Sequence, residues 1–194
     1  SPVPALSLGA FELFPWEVLQ AYSTLSQLGK FNSLNLVTRV EKIDGRLVLE
    51  NKTTTEQRIA PEPTAELVSM MKQTILSGSA RAIRLSGLNF PAAGKTGTTN
   101  DKKDAWFAGF TPHHVAVVWV GYDDNSLANL TGAGSAVPIW AHYMKNFAST
   151  LPQDDFKWPM DTETRVITIE EQKKLGVPER AGIPPEDVEL VFRK

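Results

Sequence analysis

Five consecutive residues, Lys95, Thr96, Gly97, Thr98 and Thr99, stand in a stretch that reads AAGKTGTTNDKKDAWFAGF from Ala92 to Phe110. Lys95 offers a compact ammonium with three donors, suited to holding a carboxylate or raising the local positive potential. Thr96 and Thr98 add hydroxyls. The small residues Ala92, Ala93 and Gly94 lead into an extended segment, a charged turn runs from Asn100 to Asp104, and AWFAGF returns as a strand. On an extended chain residues 95, 97 and 99 face one way and 96 and 98 the other. A site that draws on both faces therefore lies along the strand's edge. Gly97 carries no side chain, so an amide-bearing guest can approach and pair with the main chain there, as sheet edges hold peptides. Asp104 either closes the turn or anchors Lys95 or the threonine hydroxyls. Trp106 and Phe107 either border the resulting cleft or pack the core.

The tripeptide Gly-Lys-Thr also occurs in phosphate-binding P-loops, which need four residues between the first glycine and the Gly-Lys pair and a helix afterwards. Here six residues separate Gly87 from Gly94, Asn89 stands where the glycine is required, and a turn and strand follow. The P-loop reading fails on context. The 194 residues are enough for one sizeable core. Hydrophobic content of 42% and charged content of 22% are those of a globular domain. A net charge of -2 gives no electrostatic reason to expect nucleic acid. With no cysteine, no disulfide or thiol chemistry is expected, and with three histidines (His113, His114 and His142) beside that no structural zinc site is; no metal or cofactor is assigned. His113 and His114 follow Pro112 and read as exposed residues of a hairpin tip. No run of about 18 apolar residues is present, and no signal peptide is visible, so any targeting or anchoring segment is expected upstream of Ser1.

The elements that must position these residues follow in chain order. Pro15 and Glu17 open a helix with Val18, Leu19, Tyr22 and Leu25 at helical spacing, which Gly29 stops. Residues 34–50 read as a hairpin on the two-residue turn Asp44-Gly45, with no chemistry assigned. Asn51 to Pro63 reads as a polar connector. Thr64 is expected to cap a helix to about Ser77, burying Leu67, Met71 and Ile75, with the Met70-Met71 pair as core filling. A short helical turn is expected between Ser79 and Leu88. Residues 105–110 and 115–121 read as adjacent antiparallel strands joined by residues 111–114. Ser135 begins a helix that tolerates Pro138 in its first turn and buries Val137, Trp140 or Ala141, and Met144. From Leu151 to Lys194 prolines recur at 152, 159, 178, 184 and 185, residues 166–169 are the one clear strand, and the segment reads as an extended tail or small appendage.

The match beyond Lys-Thr-Gly is long. GKTGTTNDKKDAWFAGFTP (94–112) followed by VAVVWVGYDDN (115–125) closely resembles the C-terminal half of the transpeptidase domain of class A penicillin-binding proteins, the bifunctional peptidoglycan synthases. PALSLGAFELFPWEVLQAYSTL (4–25), with Leu8, Gly9, Glu12 and Pro15 in the pattern Leu-Gly-x-x-Glu-x-x-Pro, resembles the segment after that family's middle motif. LTGAGSAVPIW (130–140) is a third match in the expected order, where the family's C-terminal helix covers the sheet. The resemblance covers roughly residues 1 to 148. It implies an α/β (α+β) serine beta-lactamase/transpeptidase-like fold, an antiparallel sheet with helices packed on it, incomplete without an upstream segment. Residues 1–150 would be the C-terminal part of the transpeptidase domain and residues 151–194 the tail.

In such enzymes a serine attacks the penultimate D-Ala carbonyl of a stem peptide, and beta-lactams block that serine. The resemblance implies catalytic roles for Lys95 and Thr98 and substrate binding by Thr96, Gly97, Thr98 and Thr99, with Asp104 and Trp106 supporting the cleft. Lys95 would bond the middle-motif serine, Thr96 and Thr98 would hold the substrate carboxylate, and the Thr98 N–H would donate to the oxyanion. Two short patterns mimic the remaining motifs: Ser69-Met-Met-Lys72 spells Ser-x-x-Lys and Ser33-Leu-Asn35 spells Ser-x-Asn. They stand in the wrong order, and Ser69 lies only 26 residues before Lys95. The nucleophile is therefore expected on an upstream segment of the same protein, which would carry both motifs and a membrane anchor on the extracytoplasmic (periplasmic) face. Expected partners are that segment, stem peptides and beta-lactams, with no nucleic acid. Two alternatives stay open: a non-catalytic penicillin-binding sensor or peptidoglycan-binding homologue, favoured by loss of the upstream motifs, and a serine beta-lactamase, which needs a deacylating base.

Overall fold

The computed structural model describes residues 12–147, 150, 152–177 and 186–194. Leu8, Gly9 and Pro178, Pro184 and Pro185 of the sequence patterns lie outside the described residues. Three strands run antiparallel in the order of the chain: β5 (Ala93–Thr98), β6 (Ala105–Phe110) and β7 (Val115–Val120). They are preceded by α1 (Pro15–Ser26), β1 (Lys30–Asn32), β2 (Arg39–Glu41), β3 (Leu47–Glu50), β4 (Thr55–Gln57), α2 (Pro61–Leu76) and α3 (Ala82–Leu85). A π-turn at Gly132–Ala136, α4 (Val137–Phe147), β8 (Thr162–Ile167), α5 (Ile169–Lys174) and β9 (Val188–Arg193) follow. The chain has an α/β fold.

Cross-strand partners share a face, so the register assigns the two sides of the sheet. Thr96 faces with Phe107 and Val118, whereas Ala93, Phe110 and Val115 point the other way. On the first side Phe107 packs with Trp140, Val137 and Met144 of α4 and with Ile75 and Ile83. On the second, Ala93 and Phe110 meet Val68 and Met71 of α2 and Phe156, bordered by Tyr22, Leu25 and Leu28. Phe110 takes edge-on contacts from Tyr22 at 6.2 Å and Phe156 at 5.8 Å. Both faces are thus covered where the strands are apolar. α1 starts as expected, with Glu17 Oε2 accepting from the Phe14 N–H at 2.8 Å, and Gly29 ends it in the left-handed region at φ +85°.

Several expectations are corrected. Asn51 to Pro63 is not a plain connector: β4 within it pairs antiparallel with β1. Helix α2 begins at Pro61, the residue type that suits a first helical position, so Thr64 is not its cap; the Thr64 hydroxyl sits buried inside the first turn and donates to the Ala60 carbonyl at 2.8 Å. Leu67 and Met70 face outward, and the buried residues are Thr64, Ala65, Val68, Ser69, Met71 and Ile75. The β2–β3 hairpin turns through Ile43, Asp44 and Gly45, with the Gly45 N–H on the Lys42 carbonyl and Gly45 left-handed, a three-residue loop in place of a two-residue one.

The tail is more ordered than an extended strip. Strands β8 and β9 pair over six positions, and β9 docks on α2. The Val191 N–H donates to the Ser69 hydroxyl at 3.0 Å, the Arg193 N–H to Glu66 at 2.9 Å, and Gln73 reaches the Glu189 carbonyl at 3.0 Å. His113 is exposed but not unattached: its Nε2 lies 2.8 Å from Asp154, which holds that carboxyl below its ordinary pKa. His114 stacks on Phe147.

Candidate active site

β5 forms one edge of its sheet, with β6 on its other flank. Hydrogen bonds in an antiparallel ladder alternate, each residue turning its N–H and C=O to one side only. The Thr99 N–H turns inward to the Asp104 carbonyl at 3.2 Å. Two residues apart means the same side, so Lys95 and Gly97 also pair inward, and Thr96 and Thr98 direct their main-chain groups to the open edge. The Lys95 ammonium occupies that edge, donating to the Thr96 carbonyl at 2.8 Å. Lys95 and Thr98 are exposed, and Thr96 and Gly97 are half-buried.

The hydroxyls are each held by a different element. Thr96 Oγ1 lies 2.7 Å from Ser79 Oγ in the connector after α2. Thr98 Oγ1 accepts the Gly132 N–H at 2.9 Å. Thr99 Oγ1 accepts the N–H groups of Lys103 at 3.0 Å and Asp104 at 2.9 Å, and so closes the β5–β6 turn. Gly97 stands opposite Trp106, where an added Cβ would come within 3.1 Å of the Trp106 Cβ. The strand therefore presents a lysine ammonium, one outward N–H and C=O at Thr98, and an exposed hydroxyl within four residues. That set can grip a carboxylate and pair with an amide.

The family model described as the penicillin binding protein transpeptidase domain matches residues 5–145, which include β5 and all of these partners. The chain belongs to this family. Penicillin-binding protein 1A of Aquifex aeolicus is 37% identical over 170 residues, 87% of this chain and 23% of the relative. The structure of penicillin-binding protein 1A from Haemophilus influenzae superposes with a TM-score of 0.78 over 95% of this chain and 33% of that one, at 23% identity. PonA1 from Mycobacterium tuberculosis in complex with penicillin V superposes with a TM-score of 0.66 at 25% identity, over 81% of this chain and 44% of that one. The chain spans about a fifth of the length of the curated relatives it matches, 18% and 23% for two of them. It is the transpeptidase domain of class A penicillin-binding proteins of the 1A and 1B kind that it matches.

Within this transpeptidase-domain chain the residues singled out by sequence divide into two groups. Lys95, Thr96, Gly97, Thr98 and Thr99 lie together on β5 and its end, but the Gly97 main chain faces β6 instead of the guest expected there, and the Thr99 hydroxyl is taken up by the turn. Asp104 does not reach Lys95: its main chain closes the turn with Thr99, and its carboxylate accepts from the Trp119 indole N–H at 2.9 Å. Trp106 is half-buried beside Gly97, with its ring 6.2 Å from that of Trp119, so Asp104 and Trp119 back the tryptophan that flanks the strand. Phe107 is wholly buried in the core. Sequence reasoning missed Ser79, Trp119 and Gly132. Only Gly132 carries a signal of its own, the small-residue run Thr131-Gly132-Ala133-Gly134, which the family match assigns to the approach to the final helix; Ser79 and Trp119 carry none.

Neither mimic of the serine motifs sits at this edge. Ser69 is 2% exposed; its hydroxyl donates to the Glu66 carbonyl at 2.8 Å and accepts from Val191, while Lys72 pairs with Asp155 at 2.7 Å. Ser33 Oγ accepts the Thr54 N–H at 2.9 Å, and Asn35 donates to Thr53. In the domain completed by the segment expected to precede it, Ser69→Ala should therefore leave penicillin acylation unchanged and lower stability by about 1–2 kcal/mol, because it strands the Val191 N–H. A urea titration and a fluorescent-penicillin gel read the two effects. Loss of labelling in that variant would reinstate Ser69 as a nucleophile.

Proposed function

We propose that this chain supplies the Lys-Thr-Gly strand of a peptidoglycan D,D-transpeptidase, and that a serine on a preceding segment of the same protein completes the site. The serine hydroxyl adds to the penultimate D-Ala carbonyl of a stem peptide, and the terminal D-Ala leaves. The amine of a second stem peptide then takes the acyl group and frees the serine. The Thr98 N–H donates to the oxyanion during each addition, a contact whose loss typically costs about 10²–10³ in rate. Lys95 holds positive potential for the terminal carboxylate, assisted by the Thr96 and Thr98 hydroxyls, and the Thr98 carbonyl pairs with the substrate amide. A beta-lactam follows the same first step and stays on the serine. The reaction belongs on the extracytoplasmic (periplasmic) face, with the protein anchored by its preceding segment; among the described residues no helix is long and apolar enough to cross a membrane.

The observation that carries this reading is the open edge of β5, where an ammonium, an outward amide and an exposed hydroxyl occur within four residues. Gly97→Val tests it in the domain completed by its preceding segment. A branched side chain there meets the Trp106 Cβ at 3.1 Å, so β5 must shift and carry its edge out of place. Acylation by a fluorescent penicillin should fall about 10²-fold. A rate within twofold of wild type would show that no guest lies against this strand.

A further inference from the structure

The structure assigns Gly132 as a positioning residue: its backbone N–H fixes the Thr98 hydroxyl as a proton donor, which commits that hydroxyl to an anionic group at the strand edge. This rests on the reading of β5 as the substrate-binding edge. A threonine hydroxyl has one proton to give and lone pairs that accept. The Gly132 N–H, 2.9 Å from Thr98 Oγ1, occupies one of its two lone pairs. The hydroxyl proton is left to point elsewhere, and a hydroxyl that accepts one bond donates the next more strongly. A hydroxyl whose proton is turned away from Gly132 and polarised in this way favours a carboxylate, the stronger acceptor, over the carbonyl of a neutral amide.

The loop that brings Gly132 there is held by two further hydrogen bonds. Thr131 Oγ1 accepts the Gly134 N–H at 3.1 Å, and the Leu130 N–H reaches the Lys102 carbonyl at 3.1 Å in the β5–β6 turn. Lys102, Asn125 and Asn129 are left-handed at φ of 53°, 58° and 53°. Only glycine fits at 132, because an added Cβ would lie 2.6 Å from the carbonyl oxygens of both Gly97 and Trp106 and 3.1 Å from the Gly97 nitrogen. These are backbone atoms of paired strands and cannot give way. The same glycine thus abuts Gly97 and orients Thr98.

The test compares acylation of the completed domain by a penicillin and by the same penicillin with its ring carboxylate converted to a carboxamide. Wild type should prefer the acid. In Gly132→Ala the displaced loop withdraws its N–H, and the acid-to-amide ratio should fall about tenfold. Thr98→Val should lose the same preference, Thr98→Ser should keep it, and the Thr98→Val, Gly132→Ala pair should lose no more than Thr98→Val alone. A merely structural role for Gly132 would slow both compounds equally and leave the ratio unchanged, which overturns the inference while the proposed function stands. A wild type that is not acylated, or that shows no preference for the acid, overturns the proposed function itself. If Gly132→Ala does not fold, glycolic acid placed at position 132 by semisynthesis removes the N–H without adding an atom to the close contact, and the same ratio decides.

Discussion

Lys95→Ala should lower acylation of the completed domain by a fluorescent penicillin about 10³-fold while leaving its thermal unfolding in place. The two halves of that expectation have separate physical origins. The Lys95 side chain is exposed, and its ammonium donates to the Thr96 carbonyl at the open edge, outside either apolar layer. Truncation therefore removes one exposed hydrogen bond and costs about 1 kcal/mol at most. The rate effect is larger because a charged donor aimed at a reacting or docking anion, inside a site closed by substrate, acts where water no longer screens it. Lys95→Arg keeps the charge but replaces a compact ammonium with a wide planar fork, and it should recover no more than about a tenth of the lost rate. Second-order acylation rates over a penicillin series, beside a melting curve, measure both. Labelling of Lys95→Ala at a tenth or more of the wild-type rate would remove Lys95 from the site.

Trp140→Ala should destabilise the domain by about 3–5 kcal/mol, a large fraction of the roughly 5–15 kcal/mol that holds a typical domain folded. Trp140 is wholly buried on α4. Its ring meets Phe107 edge-on at 5.3 Å and lies 6.3 Å from Phe90, and its indole N–H donates to the Ala116 carbonyl at 3.2 Å. The ring also rests against Gly109, where an added Cβ would approach Trp140 to 2.7 Å. Alanine leaves a cavity between α4 and the sheet and an unpaired carbonyl on β7. Trp140→Phe keeps most of the apolar contact and should lose about half as much. Urea titrations of the three proteins at equal concentration give the comparison; a midpoint for Trp140→Ala equal to wild type would contradict the layer assignment.

The parts of the fold that were legible in sequence are those whose pattern is local. The β-branched and aromatic runs of 105–110 and 115–120 and the helical spacing of Val18, Leu19, Tyr22 and Leu25 each state their element, and the triad Val137, Trp140 and Met144 states its buried side as well. What escaped depends on partners far along the chain. β1 and β4 are three residues each, polar and separated by more than twenty positions, so neither shows a strand pattern alone. Spacing alone places Leu67 inside, yet the docking of β9 on α2 selects Ser69 and Glu66 and turns the buried stripe toward Ala65 and Val68. The candidate site divides the same way. The strand from Lys95 to Thr99 declares itself by residue type, whereas Gly132 meets Thr98 across 34 residues and Ser79 meets Thr96 across 17. Asp104 misled because proximity to Lys95 in sequence says nothing of Trp119, which the β6–β7 pairing brings to its carboxylate.

The central claim is that β5 forms one wall of an acyl-transfer site whose nucleophile lies on another segment of the protein. Intact-mass and peptide mapping after penicillin treatment, performed on this chain alone and on the domain completed by its preceding segment, test it most directly. The chain alone should gain no covalent adduct, and the completed domain should gain one, on a serine outside these 194 residues. An adduct on Ser69 or Ser33, or a completed domain that remains unmodified, would contradict the account.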